Sequence, residues 1–529
     1  MGDVRVRYGE LNEASGKQAT LLRTLGCRPG DRVCLFLSKS PVAVTSMVAA
    51  LKAGCAYVPV DVESPASRAE RIVRAVEPRA VVVDETAVGL LDEVAAAGAL
   101  ARSVVVVSAA DHAFAVDHFE TAAAASDWTA LDEIGRPRRR SADDIAHILF
   151  TSGSTGAPKG VVITHASVMH FVEWATRYFG ATSTDRFSGH PPLHFDLSTF
   201  DVWGAFCVGA ELHLVPSECN RLPRLLAEFI RSSEVTQWFA VPSVFSLLAA
   251  FDTLQQDDFP SLKRVLWCGE VLPTPVLRYW MERLPQASFT NLYGPTEATI
   301  ASSFYTVPEL PATNDPVPIG VACGGEELLL LDEQLRPVAP GEVGEIYIGG
   351  VGLSPGYWRD EETTREAFVP DLRSGDSARL YKTGDLARLG EDGLVRFLGR
   401  RDSQIKHRGY RIELGEIETA VNGLDEVREC AVVALESDGF EGTAICCAYV
   451  STSGSEMDSR RLREALRRTL PRYMLPTTWL ALGQIPKNAN GKIDRPQVRE
   501  LLRPVRAAEA RLPSRPMPAV SAPFASSRG

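Results

Sequence analysis

Thr151-Ser152-Gly153-Ser154-Thr155-Gly156-Ala157-Pro158-Lys159-Gly160 is the stretch on which the reading of this chain turns. It joins glycines, whose backbone N–H groups can close around phosphate oxygens, to four hydroxyl donors and one lysine. A Walker A loop needs glycine where Pro158 stands and a helix after its lysine. Here residues 161–164 are apolar and β-branched, and 147–150 carry a strand pattern. The segment therefore reads as a phosphate loop between two strands, and a P-loop NTPase is excluded. Taken alone, a Gly/Ser-rich hairpin with no ligand is the competing reading.

Working outward, the first third alternates a helical spacing over 9–25, a strand over 31–37, an apolar helix over 41–52 and a strand over 56–60. That rhythm predicts parallel α/β units, and 81–84 and 103–108 repeat the strand signature. Residues 135–144, with Arg136 and three further arginines from 138 to 140, read as a solvated connection, because Pro137 interrupts them and no helix follows. From 341 the texture changes to short strands and tight turns: 344–350, Glu391-Asp392-Gly393, then 395–398. This predicts a small antiparallel unit. Beyond a boundary near 400–402 come a helix over 413–422, strands over 427–435 and 444–451, and a helix over 458–469. After about 502 the composition is Pro, Ala, Ser and Arg without periodicity, which predicts a disordered tail.

Length and composition bound the answer. The 529 residues, 45% hydrophobic and 23% charged, exceed one small module and match an ordinary globular chain. With 56 basic against 67 acidic residues the net charge is −11, the wrong sign for a nucleic-acid binder that neutralises phosphates. Ten cysteines are scattered without a C-x-x-C pair, which leaves zinc ribbons and redox motifs unsupported. Cys446 and Cys447 read as apolar residues of one strand. Residues 1–10 lack an apolar run, Val6 breaks a myristoylation motif at Gly2, and no apolar run approaches a membrane span. A reduced, cytoplasmic protein with no membrane or nucleic-acid partner is expected.

Two further clusters carry chemistry. Tyr293-Gly294-Pro295-Thr296-Glu297 offers an aromatic face for a base, a hydroxyl for phosphate and a carboxylate able to hold Mg²⁺ by hard oxygen ligation. Tyr381-Lys382-Thr383-Gly384-Asp385 ends in a carboxylate that can accept both hydroxyls of a ribose. Gly399-Arg400-Arg401-Asp402 and Asn490-Gly491-Lys492-Ile493-Asp494-Arg495 follow in order.

Together these motifs resemble the adenylate-forming superfamily and, within it, the amino-acid adenylation domains of nonribosomal peptide synthetases. The resemblance runs from Tyr8-Gly9-Glu10-Leu11 through Leu51-Lys52-Ala53-Gly54, Ala56-Tyr57-Val58-Pro59, Phe195-Asp196-Leu197-Ser198, Gly344-Glu345, Arg411-Ile412-Glu413-Leu414-Gly415-Glu416 and Leu470-Pro471-Arg472-Tyr473 to Asn490-Gly491-Lys492. It implies an α/β fold: a large domain over 1–400, with two mixed α/β sheet subdomains and a small β-barrel-like one; a hinge at 401–402; a small mobile α+β domain over 403–502; and the tail over 503–529. The implied chemistry is ATP-dependent formation of an acyl-adenylate with release of pyrophosphate, then transfer to a carrier protein's phosphopantetheine thiol. By the same resemblance Thr151, Ser152, Gly153, Ser154, Thr155, Gly156 and Lys159 handle the phosphates. Tyr293 stacks on adenine, Gly269 and Thr296 contact the nucleotide, Glu297 holds Mg²⁺, and Asp385 with Arg400 holds the ribose. Lys492 matches the catalytic lysine, where a preorganised cation stabilises the charge gathered in the transition state, and Asp402 matches the hinge. The family carries an additional amphipathic segment ahead of the Tyr8 motif, and His407 stands where an apolar residue is common, which reads as a tolerated surface substitution.

Asp196 matches the carboxylate that pairs with a substrate α-amine; ligases of aryl or fatty acids have no use for a buried charge there. The other pocket positions carried over are Leu197, Phe200, Phe239, Leu266, Cys268, Leu292, Ile300 and Ala301, none of them charged. Their order is similar to that of free-standing ligases that load L-proline onto a carrier protein for pyrrole formation. A valine- or isoleucine-like substrate stays open, because apolar pockets separate substrates by only about 1–3 kcal/mol per methylene. An acyl-CoA ligase is the enzymatic rival, and a silent scaffold is disfavoured because every nucleotide position is filled. No carrier motif follows Lys492, so the carrier is expected in trans. His190 and His194 are not read as metal ligands, since Pro191 and Pro192 prevent the helix that would align them; His194 is expected to border the acceptor tunnel. The run Gly350-Val351-Gly352 with Gly356 is too loose for a dinucleotide fingerprint.

Overall fold

The computed structural model describes residues 4–101, 104–109, 122–124, 127, 141–153, 157–373, 378–436, 443–488 and 493–510. Local signals fix the first elements: Ser40 caps helix Pro41–Ala53 by accepting from the Ala43 N–H at 3.2 Å, Pro41 opens it, and Gly54 at φ 87° closes it. Strand Ala56–Pro59 then pairs in parallel with Arg32–Phe36, as the α/β rhythm predicts. The first sheet has seven strands, ordered Ala122–Ala123, Val105–Ser108, Ala80–Val83, Arg32–Phe36, Ala56–Pro59, Ile145–Thr151 and Lys159–Thr164. All its neighbours are parallel except the last two, which form the antiparallel pair flanking the Thr151–Gly160 loop.

The second sheet also has seven strands: Val321–Ala322, Ser303–Thr306, Ser288–Tyr293, Arg264–Trp267, Gln237–Ala240, Arg186–Gly189 and Glu211–Leu214. Its parallel strands are buried on both faces, with Trp238, Phe239, Leu266 and Trp267 all at 0% exposure, as expected where helices cover both sides. A five-stranded antiparallel sheet follows, from Glu326–Leu331 to Val395–Arg400.

Beyond Arg400 lie the hairpin Gln404–His407/Tyr410–Glu413 and a three-stranded sheet of Val427–Glu436, Thr443–Ser451 and Thr478–Ala481. Cys446 and Cys447 are buried on opposite faces of Thr443–Ser451, one in each of two apolar clusters. Helix Arg495–Ala510 continues past 502, where a tail was expected to start. Val498 and Leu502 anchor it against the sheet, and the Ala-, Arg- and Glu-rich turns beyond favour helix despite Pro504. Residues 511–529 lie outside the described residues, as do 135–140 of the expected surface connection. His407 is partly buried rather than a surface residue, and burial lowers its imidazole to about 4.

Candidate active site

In open α/β sheets ligands bind beyond the carboxyl ends of the strands. A solvent-open cleft lies at those ends here, lined by Pro59, Thr151, Ser152, Cys268, Gly269 and Gly294 from both large sheets. Asp385 and Arg400 border it from the antiparallel sheet, and Lys406, Tyr410 and Arg411 from the hairpin Gln404–His407/Tyr410–Glu413. The cleft thus lies where three sheets and both domains meet.

At one end sits Asp196, immediately before helix Leu197–Val208. Its Oδ2 accepts from the Thr296 hydroxyl at 2.7 Å. Burial pushes its carboxyl upward from the usual range, only partly offset by Thr296. A bound ammonium would relieve that cost.

Leu197, Phe200, Phe239, Leu266, Cys268, Leu292, Ile300 and Ala301 all fall in one apolar cluster, so the structure gathers every predicted side-chain contact. They do not all face the cleft: Leu197, Cys268 and Ile300 line it. Phe200, Phe239 and Leu266, each 0% exposed, fill the space behind, with Phe200 edge-on to Phe239 at 6.2 Å. The pocket is consequently shallow. Burial raises the Cys268 thiol to about 12, so it packs as a neutral apolar group.

The opposite end is a charged network. The Tyr293 hydroxyl donates to Asp385 Oδ2 at 2.5 Å, and Arg400 grips the other Asp385 oxygen while donating to Asp402 at 2.8 and 2.7 Å. Burial works against the Arg400 charge, but Asp402 and Asp385 hold it more firmly protonated than usual. Burial and then Asp385 push the Tyr293 phenol upward, keeping it a donor. Lys406 Nζ lies 5.5 Å from the Tyr293 ring centroid, on the face a base would share.

Glu297, 0% exposed, is fully engaged: Tyr357 donates to Oε1 at 2.7 Å and Arg411 to Oε2 at 2.8 Å. Burial alone would raise its carboxyl, but Arg411, the Tyr357 hydrogen bond and Lys159 together outweigh that and leave it below the ordinary range. Lys159 stands 5.2 Å over the Tyr357 ring, beside Glu297. Among the described residues the buried Thr151 Oγ1 has no hydrogen-bond partner, whereas Ser152 gives its hydroxyl to the Arg411 carbonyl. At Gly153 a Cβ would stand 2.1 Å from the Ala157 carbonyl oxygen, so the loop closes only with glycine there. Ser154, Thr155, Gly156 and Lys492 lie outside the described residues.

Several functional positions were not singled out from the sequence. Arg411 and Lys406 enter on the hairpin, and Glu270 accepts from the Gly409 N–H at 2.9 Å and the Ser243 N–H at 3.1 Å. Arg68 and Glu416 pair across the two domains at 3.0 Å, both nearly buried. His194 borders the cleft, 5.2 Å from the Phe195 ring, which itself meets Tyr410 edge-on.

Comparison with known proteins agrees with this geometry. Residues 1–358 match the AMP-binding enzyme family and 416–492 the AMP-binding enzyme C-terminal domain. An L-proline–[L-prolyl-carrier protein] ligase of Streptomyces coelicolor is 36% identical over 93% of this chain and 92% of its own length. A ligase of the same name from Pseudomonas fluorescens is 36% identical over 90% of each chain. Among solved structures, PA1221, a nonribosomal peptide synthetase protein containing adenylation and PCP domains, superposes with a TM-score of 0.74 at 28% identity, over 94% of this chain and 80% of that one. Because the AMP-binding enzyme model matches 1–358, well over half of the sequence, the chain belongs to the AMP-binding enzyme family.

Proposed function

We propose that this chain activates L-proline as prolyl-AMP and transfers it to the phosphopantetheine thiol of a separate carrier protein. The observation that carries this is the pairing of Asp196 with a shallow apolar pocket at one end of the cleft. A charge so placed fits an α-amine or α-imine, and the floor filled by Phe200 and Phe239 fits a compact ring. The named activity of the Streptomyces and Pseudomonas relatives supports the same substrate.

In the first half-reaction a proline carboxylate oxygen attacks the α-phosphorus of ATP, and the bond to the departing pyrophosphate breaks. Asp196, oriented by Thr296, holds the amine. Asp385 and Arg400 hold the ribose, Tyr293 and Lys406 the base side, and Thr151, Ser152 and the loop with Lys159 the phosphates. Lys492 supplies a cation at the carboxylate and α-phosphate. Glu297 suits Mg²⁺, which is usually held by one or two carboxylates together with substrate phosphates and neutralises phosphate charge when bound. That role requires Arg411 to leave Glu297, since both carboxylate oxygens are now taken.

In the second half-reaction the carrier thiol, losing its proton, attacks the prolyl carbonyl, and AMP leaves. Lys492 with departing pyrophosphate and the incoming thiol need the same space, so the small domain turns about Asp402 between them. Among the described residues no helix is long and apolar enough to cross a membrane, and all ten cysteines are free thiols, which fits a reducing cytoplasm.

The test is intact-mass measurement of a phosphopantetheinylated carrier incubated with the enzyme, ATP, Mg²⁺ and equal amounts of proline, valine and isoleucine. A mass gain of one prolyl group is expected, absent when coenzyme A is the only thiol acceptor. Predominant valyl or isoleucyl loading would overturn the substrate, and equal turnover on coenzyme A would overturn the acceptor.

A further inference from the structure

We propose that Glu326 and His170 form a positioning pair that fixes the floor of the amino-acid pocket from behind. Neither residue lines the cleft, and the inference rests on the amino-acid-activating role argued above.

Ile300, which lines the cleft, and its neighbour Thr299 have φ of 74° and 54°. Two consecutive β-branched residues in the left-handed region are strained and persist only where their surroundings over-determine them. The restraint is visible. Thr299 Oγ1 donates to the Gly352 carbonyl at 2.7 Å, and the Gly352 N–H donates to Glu326 Oε1 at 2.8 Å. That same oxygen lies 3.2 Å from His170 Nε2, a contact within ion-pair distance; among the described residues this nitrogen has no hydrogen-bond partner. The two peptide groups that flank the Gly352 Cα are thus held, one by the strained turn through the carbonyl and the other by the buried carboxylate through the N–H.

The chain makes room for this pair. A Cβ at Gly352 would stand 2.8 Å from Glu326 Oε1, and one at Gly325 only 2.3 Å from His170 Cε1. Glu326 is nearly buried, its Oε2 has no hydrogen-bond partner among the described residues, and burial pushes its carboxyl up to about 7 against the opposing Gly352 N–H. Such a group is costly to bury, and an apolar residue would fill the space without that cost. His170 comes from helix His165–Tyr178, whose next residue, Phe171, packs edge-on against Phe200 at 5.6 Å. The helix therefore reaches the pocket twice, through Phe200 directly and through Glu326 to Thr299 and Ile300. The contact chain touches the amino-acid end of the cleft and none of the nucleotide ligands Asp385, Arg400 or Thr151.

The experiment is amino-acid-dependent ATP–pyrophosphate exchange by the full chain and its variants, with KM for proline, valine and ATP measured separately. Wild-type exchange with neither amino acid would overturn the amino-acid-activating reading itself. Given wild-type exchange, Glu326→Ala is expected to raise the proline KM about tenfold and shift the proline-to-valine ratio by a similar factor, with ATP KM and kcat within about threefold. Glu326→Gln keeps an acceptor for the Gly352 N–H and is expected to restore most of the loss, a rescue that mere core filling would not give. His170→Ala, at a partly exposed side chain, is expected to move the proline KM the same way by about threefold. Unchanged proline KM and ratio in folded Glu326→Ala, ATP KM rising in step, or no rescue by glutamine would overturn the pair's role. Should Glu326→Ala not fold, an unchanged proline KM in His170→Ala overturns it instead.

Discussion

The two ends of the cleft are built from opposite materials. The amino-acid end is apolar and packed from one sheet and its covering helix: Phe239 and Leu266 are register neighbours on adjacent parallel strands, and Phe200 closes over them. The nucleotide end is charged and drawn from three sheets and two domains, with Arg411 reaching Glu297 across 114 residues of sequence. Close packing has one low-energy arrangement, whereas a guanidinium can exchange one carboxylate for another at modest cost. The difference teaches where each task belongs. On the proposed function, selectivity belongs to the closely packed walls and the chemistry to charges that exchange partners between two half-reactions.

The sharpest way to break this contrast is at the single charge of the fixed end. Asp196→Ala leaves a substrate ammonium unpaired in a low-dielectric pocket, a cost of about 3–5 kcal/mol, and is expected to lower exchange by roughly 10²–10⁴-fold with ATP KM little changed. Exchange surviving within about tenfold would show that the amine is held elsewhere. At the mobile end Lys492→Ala is expected to lower exchange by on the order of 10², with unfolding temperature unchanged, because it removes one preorganised cation.

Asp402→Pro separates the ends by kinetics. Proline fixes φ near −65° and restricts the turn between Arg400 and Gln404, so transfer to carrier is expected to fall by about tenfold or more while exchange stays within about threefold. A parallel fall in both half-reactions, with circular dichroism intact, would place the hinge elsewhere. Leu266→Ala sharpens the comparison with the smallest effect. It deepens the apolar floor and is expected to shift the proline-to-isoleucine ratio by about 1–2 kcal/mol toward isoleucine, read from exchange at fixed ATP.

The legible part of the molecule was local. The Thr151–Gly160 loop declared a β–loop–β unit because Pro158 forbids the alternative, and the strands on either side pair as that reading requires. The apolar pocket was legible through its resemblance, and all eight positions share one cluster. What sequence did not carry was depth: nothing in the order of those residues says that Phe200, Phe239 and Leu266 sit behind the surface that Leu197, Cys268 and Ile300 present. Lys406 and Glu270 escaped notice, and Arg411 was quoted only as part of a motif without its contact to Glu297, for a related reason. Their roles arise where the hairpin of one domain meets the other, and a charged residue alternating along a short strand gives no sign of the partner it will find. Glu326 and His170 were hidden more completely, since a carboxylate in a Gly-Gly-Glu-Glu run reads as solvated until its surroundings are seen.

The central claim, that a fixed apolar pocket closed by one carboxylate selects a small imino acid for adenylation, is tested most directly by ATP–pyrophosphate exchange of the wild-type chain across the proteinogenic amino acids. The account predicts proline as the strongest substrate, with valine and isoleucine trailing and charged or large aromatic amino acids inactive. Exchange led by a charged or large aromatic amino acid, or supported by none, would contradict it.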